Sequence, residues 1–494
     1  MPKTDLLLIN PGNRTQMYGK LGGSISAIEP PIWAALIAAF IRKKGFSVKI
    51  IDADAESLSP EAVADMVIKE NPILTGVGAF GANPSASSTP KMEVVNDIIS
   101  SLKRISPNSK IFTYGIHPSA LPQRTLEEGC ADFVCKGECF NTIYELLKIL
   151  TKNINTKDFP IGGLCYKRDS VIVNNGWGKL IENLDQLPLA AWDLLPMDIY
   201  RAHNWHCFAQ LEDRAPYAVI YTSLGCPFNC TYCNVRSLYN GKPGIRFRSI
   251  KSVVDEIGVL VNNYRVRNIK ILDELFVIKQ ERVIELCDLI IKQGYDLNIW
   301  AYARIDTINK AILGKMKRAG INWLAFGIES GSMDVRNDAG KRGFDRAGIM
   351  DAIKMTHEAG IHAVGNFIFG LPNDNIGTMK ETLKLAKALN CEYANFYVAM
   401  AYPGSDLYQD SLRKGTKLPD SWLGFAQFSA ETLPLPNKNL SSEEILCFRD
   451  KAFKEYYSSP AYLKMLEDKF GHKAVEHIKD TLSHKIYRKI LAPF

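Results

Sequence analysis

The chain has 494 residues, of which 46% are hydrophobic and 23% are charged, and its formal net charge is +7. This length predicts about two to four domains, because one hydrophobic core rarely serves more than about 250–300 residues. The composition is that of an ordinary folded protein, which excludes a disordered or fibrous chain.

No apolar run approaches the ~18 residues that a membrane-spanning helix needs, and the first residues lack the apolar stretch of a secretion signal. We therefore expect a cytoplasmic protein without a transmembrane segment. Eleven cysteines without such a signal indicate a reducing compartment. The basic cluster near the C-terminus is best interpreted as a solvated helix face, so nucleic acid is disfavoured as a partner.

The first 150 residues alternate short strand patterns with amphipathic helical patterns, which predicts a parallel sheet covered by helices. The predicted strands are Asp5–Asn10, Ser47–Asp52, Leu74–Ala79, Lys110–Tyr114 and Asp132–Cys135. They indicate a doubly wound, Rossmann-like domain over residues 1–150. Ligands of such domains bind beyond the carboxyl ends of the strands, where this chain has loops rich in small residues.

Residues 151–210 show no chemical motif and are interpreted as a connector. From residue 211 to 410, a second alternation of strands and helices predicts a full or partial (β/α) barrel. Its predicted strands are Ala218–Thr222, Asn268–Leu272, Asn298–Ala303, Trp323–Gly327, His362–Phe369 and Tyr393–Ala399. Residues 411–494 have mainly helical patterns and predict a C-terminal helical region.

Three cysteines, Cys226, Cys230 and Cys233, follow the first predicted barrel strand. Barrel enzymes place their active sites at this end of the strands, and three thiolates on one loop can bind three corners of a [4Fe–4S] cluster. No matching fourth cysteine lies nearby in the sequence, so one iron would stay open to a substrate or cofactor. A zinc site and a chance grouping of core cysteines are the alternatives. The other eight cysteines are scattered among apolar neighbours and are interpreted as core residues.

The C-x3-C-x2-C spacing, with an aromatic residue before the last cysteine, resembles the radical S-adenosylmethionine (SAM) superfamily. Segments near the ends of later strands resemble it too, namely Asp273 through Phe276, Tyr302 through Asp306, Phe326 through Gly331, Gly365 through Pro372 and Tyr402 through Tyr408. The resemblance implies that SAM binds the open iron and that barrel residues surround it. The SAM-contacting residues implied in this way are Tyr232, Asp273, Glu274, Arg304, Gly327, Glu329, Ser330 and Gly370.

The N-terminal domain resembles the cobalamin-binding domain that precedes the barrel in one class of radical SAM enzymes. The resemblance rests on Glu29-Pro30-Pro31, Ile51-Asp52-Ala53, Gly115 through Pro118 and Lys136-Gly137-Glu138, in that order. The cobalamin-contacting residues that it implies are Asn13, Phe80, Gly115, His117, Gly137 and Glu138. The sequence lacks the D-x-H-x-x-G motif that places a histidine beneath cobalt in many cobalamin proteins, so we expect no histidine ligand to cobalt.

The resemblance implies three cofactors, a [4Fe–4S] cluster, SAM and cobalamin, and an external electron donor such as flavodoxin or ferredoxin. The implied activity is methyl transfer to an unactivated carbon, or to phosphorus, through a 5′-deoxyadenosyl radical and methylcobalamin. Non-methylating cyclisation or rearrangement with the same cofactors is the main alternative. Methylthio transfer to RNA and a non-enzymatic cobalamin sensor or carrier are weaker ones. A small molecule, lipid, tetrapyrrole or peptide is open as the substrate.

Overall fold

The first sheet is built from strands that are rich in Leu, Ile and Val. The computed structural model describes residues 4–12, 14–18, 26–81, 87–152 and 157–492. The strands of this sheet are β1 (Leu6–Asn10), β2 (Val48–Asp52), β3 (Leu74–Ala79), β4 (Ile111–Gly115), β5 (Phe133–Cys135), β6 (Leu164–Arg168) and β7 (Val171–Asn174). Strands β3 and β4 are buried along their whole length, as expected for a parallel sheet that is covered on both faces.

Within the described residues, the strand order of this sheet is β2-β1-β3-β4-β5-β6-β7. The first five strands are parallel, and β6 and β7 are antiparallel additions at one edge. Strands β6 and β7 thus belong to residues 151–210, which the sequence pattern predicts to be a connector. A short hairpin carries too little periodicity to show which sheet it joins, whereas the structure pairs buried Cys165 with Val134 of β5.

The helices of this part of the chain are α1 (Arg14–Tyr18), α2 (Ile32–Lys43), α3 (Pro60–Glu70), α4 (Met92–Ile105), α5 (Ile116–Ala120), α6 (Pro122–Glu128) and α7 (Phe140–Thr151). Helix α3 begins where Ser59 accepts a hydrogen bond from the Ala62 backbone N–H and Pro60 occupies the first turn, both of which favour a helix start. Helix α2 is buried from Ile32 to Ile41 because both the first sheet and the barrel cover it.

The second large sheet is a partial barrel of parallel strands. These are β8 (Tyr217–Ile220), β11 (Asn268–Ile271), β12 (Asn298–Ala303), β13 (Ile321–Glu329), β14 (His362–Phe369) and β15 (Tyr393–Val398), paired in chain order. Strands β8 and β15 form the two edges. A small antiparallel ribbon, β9 (Ser223–Leu224) with β10 (Arg246–Phe247), follows β8 and encloses the cysteine loop between its strands.

The barrel helices are α8 (Ile250–Tyr264), α9 (Gln280–Gln293), α10 (Lys310–Arg318), α11 (Met333–Asp338), α12 (Arg346–Glu358), α13 (Ile376–Leu389) and α14 (Asp406–Arg413). Local sequence sets their starts. Asn375 and Thr378 form a reciprocal capping box at the start of α13, which satisfies backbone N–H groups that a helix leaves unpaired.

The C-terminal region packs its helices along β15, the last strand of the barrel. Its helices are α15 (Ser442–Tyr457), α16 (Pro460–Phe470) and α17 (His472–Ser483). From α15, Arg449 donates to the backbone oxygen of Phe396 over 2.8 Å and Tyr457 donates to that of Ala394 over 2.8 Å. These bonds occupy acceptors at an edge that would otherwise be exposed.

The first domain lies against the open side of the barrel. Glu29 accepts from Lys270 Nζ at 2.9 Å and from the Tyr217 hydroxyl at 3.1 Å, and this ion pair is nearly inaccessible to water. Trp33 Nε1 donates to the Tyr221 hydroxyl at 3.3 Å. Among the helices that the structure describes, none has the length and apolar character needed to cross a membrane.

Candidate active site

The three cysteines lie on the loop between β9 and β10, at the carboxyl end of the barrel strands. All three are half-buried, and they line a cavity of about 260 Å³ that we call the cysteine cavity. Its other walls come from the ends of β11 to β15 or the residues just after them, through Leu272, Ala303, Gly327, Ile368 and Val398. The parallel strands therefore bring distant segments of the chain to one site.

Backbone contacts from three segments hold the cysteine loop. The Gly244 N–H donates to the Cys226 oxygen, the Thr231 N–H donates to the Ala339 oxygen, and the Leu407 N–H donates to the Thr231 oxygen. Gly340 has a φ of +77°, and a Cβ there would lie 3.0 Å from the Asn229 oxygen. This position needs glycine both for its backbone angle and for the close approach of the loop.

The donor set fits an iron–sulfur cluster. Cysteine thiolates are the usual ligands of such clusters, and the cavity wall among the described residues contributes these three thiols. Burial raises the pKa of the Cys226 thiol to about 12. This thiol is therefore protonated at neutral pH in the free protein, and binding of iron must release its proton.

Glu329 is held at the cavity wall by an unusual backbone conformation. Its φ is +66°, and the pairing of β13 with β14 shifts register between Gly327 and Glu329. Its carboxylate accepts from the Tyr232 hydroxyl at 2.9 Å and pairs with Lys341 Nζ at 3.1 Å. Strain of this kind is retained where the surrounding structure requires it, often at functional sites.

Glu274 and Asp273 are adjacent in sequence but have different surroundings. Glu274 lines the cysteine cavity and accepts from the Tyr239 hydroxyl at 2.8 Å and the Gly225 N–H at 3.1 Å. Burial raises its pKa to about 7. Asp273 is instead buried outside the cavity wall, where it accepts from Thr222 and Ser223 and holds the chain between β8 and β9.

Arg304 and Lys341 are the cations of the cysteine cavity. Arg304 forms a forked pair with Asp306, at 2.9 Å for both oxygens, and its guanidinium lies 3.9 Å from the ring centre of Phe228. Lys341 was not identified from the sequence, since an isolated lysine in a loop carries no motif. Burial lowers the pKa of Lys341, but the Glu329 carboxylate and the Cys230 thiol together outweigh it, so the pKa is raised overall and the ammonium stays charged.

Besides Asp273, two further residues that the resemblance assigns to SAM lie outside the cavity wall. Ser330 is buried beside Thr382, and its backbone oxygen accepts from Arg336. Gly370 has a φ of +84°, and a Cβ there would lie 2.7 Å from the Ile445 side chain. In the described structure Ser330 therefore contacts α13, and Gly370 contacts α15, rather than the cysteine cavity.

The first domain has a cavity at the carboxyl ends of β1 and β3, which we call the first-domain cavity; the described residues enclose about 90 Å³ of it. Trp33 and Phe80 stack there with ring centres 5.2 Å apart. Lys91 is buried in its wall and donates to Asn10 at 3.0 Å. Flat aromatic faces beside buried donors suit a large ring with amide side chains, as cobalamin has. Asn13, assigned to cobalamin from the sequence, lies outside the described residues.

The four other residues assigned to cobalamin lie beyond this cavity, after β4 and β5. His117 is buried and packs edge-on against Trp422 with ring centres 4.4 Å apart, and burial lowers its pKa to about 3. Gly115 allows the chain to approach Ala79, since a Cβ there would lie 2.5 Å from its oxygen. Glu138 forms a buried pair with Arg246 next to the cysteine loop, and Gly137 approaches the Leu238 oxygen.

A third cavity, which we call the central chamber, has a volume of about 460 Å³. The residues that it shares with the cysteine cavity are Tyr302, Asn366, Tyr397 and Gln427. The residues that it shares with the first-domain cavity are Met17, Ser26, Ser87 and His203. The central chamber therefore lies between the other two cavities.

Two family models match separate parts of the chain. The model of the radical SAM superfamily matches residues 220–386, and that of the B12 binding domain matches residues 19–147. An uncharacterised methyltransferase of Pyrococcus horikoshii is 32% identical over 444 residues, covering 90% of this chain and 90% of the relative. The chain belongs to the B12-binding radical SAM enzymes. This confirms the family, the enzymatic nature and the cofactor set that the motifs predict.

More distant relatives of this radical SAM enzyme have different names. An anaerobic magnesium-protoporphyrin IX monomethyl ester cyclase of Rubrivivax gelatinosus is 26% identical, covering 80% of this chain and 68% of the relative. A cytidylyl-2-hydroxyethylphosphonate methyltransferase of Streptomyces wedmorensis is 24% identical, covering 80% of each chain. The family therefore includes proteins named for methylation and for cyclisation.

Two solved structures share the fold of this radical SAM enzyme. The methyltransferase TsrM of Kitasatospora setae superposes with a TM-score of 0.65 at 17% identity, covering 84% of this chain and 78% of TsrM. The radical enzyme OxsB superposes with a TM-score of 0.68 at 14% identity, covering 97% of this chain and 72% of OxsB. They confirm the predicted fold class, an α/β cobalamin-binding domain followed by a partial barrel and a helical C-terminal region.

Proposed function

We propose that this radical SAM enzyme is a cobalamin-dependent methyltransferase that acts on an unactivated carbon, or on phosphorus. The observation that carries the proposal is the position of the central chamber, which shares walls with both the cysteine cavity and the first-domain cavity. A substrate in the chamber would face both cofactor sites. Methyl transfer by these cofactors requires that arrangement, because the carbon that is activated must also receive the methyl group.

Two names among the relatives support methylation. Both the Pyrococcus horikoshii relative and the Streptomyces wedmorensis relative are named as methyltransferases. When bound, the cluster with SAM supplies hydrogen-atom abstraction, and cobalamin supplies the methyl group. An external donor such as flavodoxin or ferredoxin would deliver the electron, and the unpaired state of the cysteines is consistent with a cytoplasmic enzyme.

The residues of the cysteine cavity would bind and orient SAM. The three thiolates hold the cluster, and Glu329 and Glu274 present acceptors that suit hydroxyl and ammonium groups. Gly327 allows a tight wall, since a Cβ there would lie 2.5 Å from Glu329 Oε1 and 2.6 Å from Lys341 Nζ. A side chain at this position would therefore displace the Glu329–Lys341 pair.

The residues of the first-domain cavity would hold cobalamin. Phe80 and Trp33 offer flat apolar faces, while Asn10, Arg14 and Lys91 offer hydrogen-bond donors for its amide groups. His203 lines the part of this cavity that is shared with the central chamber.

The test is anaerobic and needs no knowledge of the substrate. Protein reconstituted with iron, sulfide and cobalamin is given SAM and a strong reductant, and 5′-deoxyadenosine, S-adenosylhomocysteine and methylcobalamin are measured. We expect all three products, and we expect the Cys226→Ala/Cys230→Ala/Cys233→Ala variant to lose 5′-deoxyadenosine. Cys447→Ala is the matched control, because Cys447 is half-buried on α15 outside the cysteine loop.

The same test distinguishes methyl transfer from the main alternative, a non-methylating reaction. The similarity to a protein named as a cyclase supports a non-methylating reaction with the same cofactors. If 5′-deoxyadenosine forms without methylcobalamin or S-adenosylhomocysteine, the non-methylating function is correct. If the wild type makes no more 5′-deoxyadenosine than the triple variant while its cluster is intact, both functions are wrong.

A further inference from the structure

The wall of the central chamber is largely aromatic. Its rings include Trp205, Trp300, Tyr302, Tyr393 and Phe396, contributed by the connector and by β12 and β15. Aromatic faces pack well against flat, unsaturated carbon skeletons. Tyr302 is also part of the wall shared with the cysteine cavity, so an apolar group held there would lie beside that cavity.

The side of the chamber formed by the C-terminal region is positively charged. Arg449, Lys454 and Lys485 line it, together with one carboxylate, Asp450. That carboxylate is divided between two guanidiniums, because it pairs with Arg449 at 2.6 Å and with Arg488 at 3.2 Å. One negative charge thus faces several positive ones at this wall.

The two lysines of this wall have no ion pair in the part of the chain that the structure describes. Both are exposed, so the chamber reaches solvent on this side. Glu455, which follows Lys454 in the sequence, pairs instead with Lys387 at 2.8 Å. The ammonium groups of Lys454 and Lys485 are therefore available to a ligand.

Buried donors at the chamber wall also lack acceptors. Trp300 Nε1 and Arg449 Nη2 are buried and have no hydrogen-bond partner in the described structure. Leaving a buried donor without an acceptor destabilises the folded state, so native proteins contain few such groups. Both of these unpaired groups are donors, which favours a ligand that brings acceptor oxygens.

We propose that the central chamber binds an organic anion, with a planar unsaturated skeleton against its aromatic wall and a phosphate or carboxylate group beside Arg449, Lys454 and Lys485. This deepens the proposed function, on which it rests for the claim that the chamber holds the methyl acceptor. Anchoring the anion on the α15 side leaves the carbon skeleton beside Tyr302 and Gln427. Those residues belong to the wall shared with the cysteine cavity.

The test measures binding of simple probes to the protein reconstituted with its cluster and cobalamin, without SAM or reductant. The probes are 1-naphthyl phosphate, 1-naphthoate, neutral 1-naphthol and inorganic phosphate, measured by calorimetry at low and high salt. We expect one naphthyl anion to bind at least about tenfold more tightly than both 1-naphthol and inorganic phosphate, since each lacks half of the recognised group. The tighter of the two naphthyl anions identifies the anionic group.

Two double lysine variants test whether the anionic group binds beside Lys454 and Lys485. Lys454→Gln/Lys485→Gln should lower the affinity of the preferred anion about tenfold and leave 1-naphthol unchanged. Lys464→Gln/Lys479→Gln is the matched control, because these lysines are equally exposed on α16 and α17 but do not line the chamber. The changed side chains are exposed, so folding should be preserved.

These binding measurements test whether the central chamber selects an organic anion, and they do so without methyl transfer taking place. Equal binding of the naphthyl anions and 1-naphthol, or an equal loss in the two double variants, would overturn the proposal. Because no SAM is present, these results do not depend on methyl transfer. Formation of methylcobalamin with failed anion selectivity would leave the proposed function standing and remove only the substrate class.

Discussion

The two parallel sheets differ in what their carboxyl ends contact. In the barrel, residues at or just after the ends of β11 to β13, such as Glu274, Arg304 and Glu329, converge on the cysteine cavity. In the first domain, helix α5 after β4 and the loop after β5 instead pack against other parts of the chain, with His117 on Trp422 and Glu138 on Arg246. In this structure, a segment at the carboxyl end of a strand thus lines a cavity only where no other part of the chain covers it.

The position of the first-domain cavity has a topological reason. The order β2-β1-β3-β4-β5 changes direction between β1 and β3, and ligands of doubly wound sheets bind at such a switch point. The cavity lies there, with Asn10 at the end of β1 and Phe80 just after β3 in its wall. Motif resemblance pointed partly to β4 and β5, whereas sheet order points to β1 and β3.

The largest effect is expected at the cysteine loop, from Gly340→Ala. The new Cβ would press on the Asn229 oxygen and the Cys230 Cα, so we expect iron content after reconstitution, and 5′-deoxyadenosine formation with it, to fall by about tenfold or more. Gly471→Ala is the control, because Gly471 has a similar φ of +80° with nothing within 4 Å. Equal iron loss in both variants would mean that backbone strain alone is responsible.

Glu138→Gln tests whether the loop after β5 is structural. It removes the negative partner of Arg246, whose side chain is 18% exposed, so we expect the free energy of unfolding to fall by about 2–3 kcal/mol in chemical denaturation. Cobalamin affinity should not change. A loss of cobalamin affinity at unchanged stability would instead return this loop to the cobalamin site.

His117→Gln tests the loop after β4 through pH. Burial holds the pKa of His117 at about 3, so the unfolded state gains a proton as pH falls below about 6.5 while the folded state does not. Stability is therefore lost on acidification, and the variant should lose about 2 kcal/mol less than wild type between pH 7 and pH 5. His472→Gln, at an exposed histidine, should behave as wild type, and the absorption spectrum of bound cobalamin should be unchanged in both.

Lys91→Met gives the smallest expected effect and tests the switch-point cavity directly. Lys91 is 6% exposed and hydrogen-bonds only to neutral Asn10 among the described side chains, so we expect the variant to be at least as stable as wild type. Cobalamin affinity should fall about tenfold, because a buried hydrogen-bond donor is removed from the cavity wall. Unchanged affinity in equilibrium titration would show that cobalamin does not use this wall.

Much of the fold could be predicted because it is encoded locally. The strands β1 to β5 and β11 to β15 lie within a few residues of their predicted bounds. This is because the periodicity of hydrophobic residues indicates which side of each strand or helix faces the core. The cysteine loop was found for the same reason, because its three cysteines are close neighbours in sequence. Tyr232 and Glu329 were assigned only through motifs, and their contact spans 97 positions.

The sequence by itself determined the family, the order of the two α/β units and the position of the cysteine loop. Only the tertiary structure decided which predicted loops line a cavity, that Lys341 pairs with Glu329, and that α15 brings Arg449 to the central chamber. The reason is physical. Periodicity and ligand spacing are properties of short segments, whereas cavities and ion pairs form between segments whose distance is set by the packing of the whole chain.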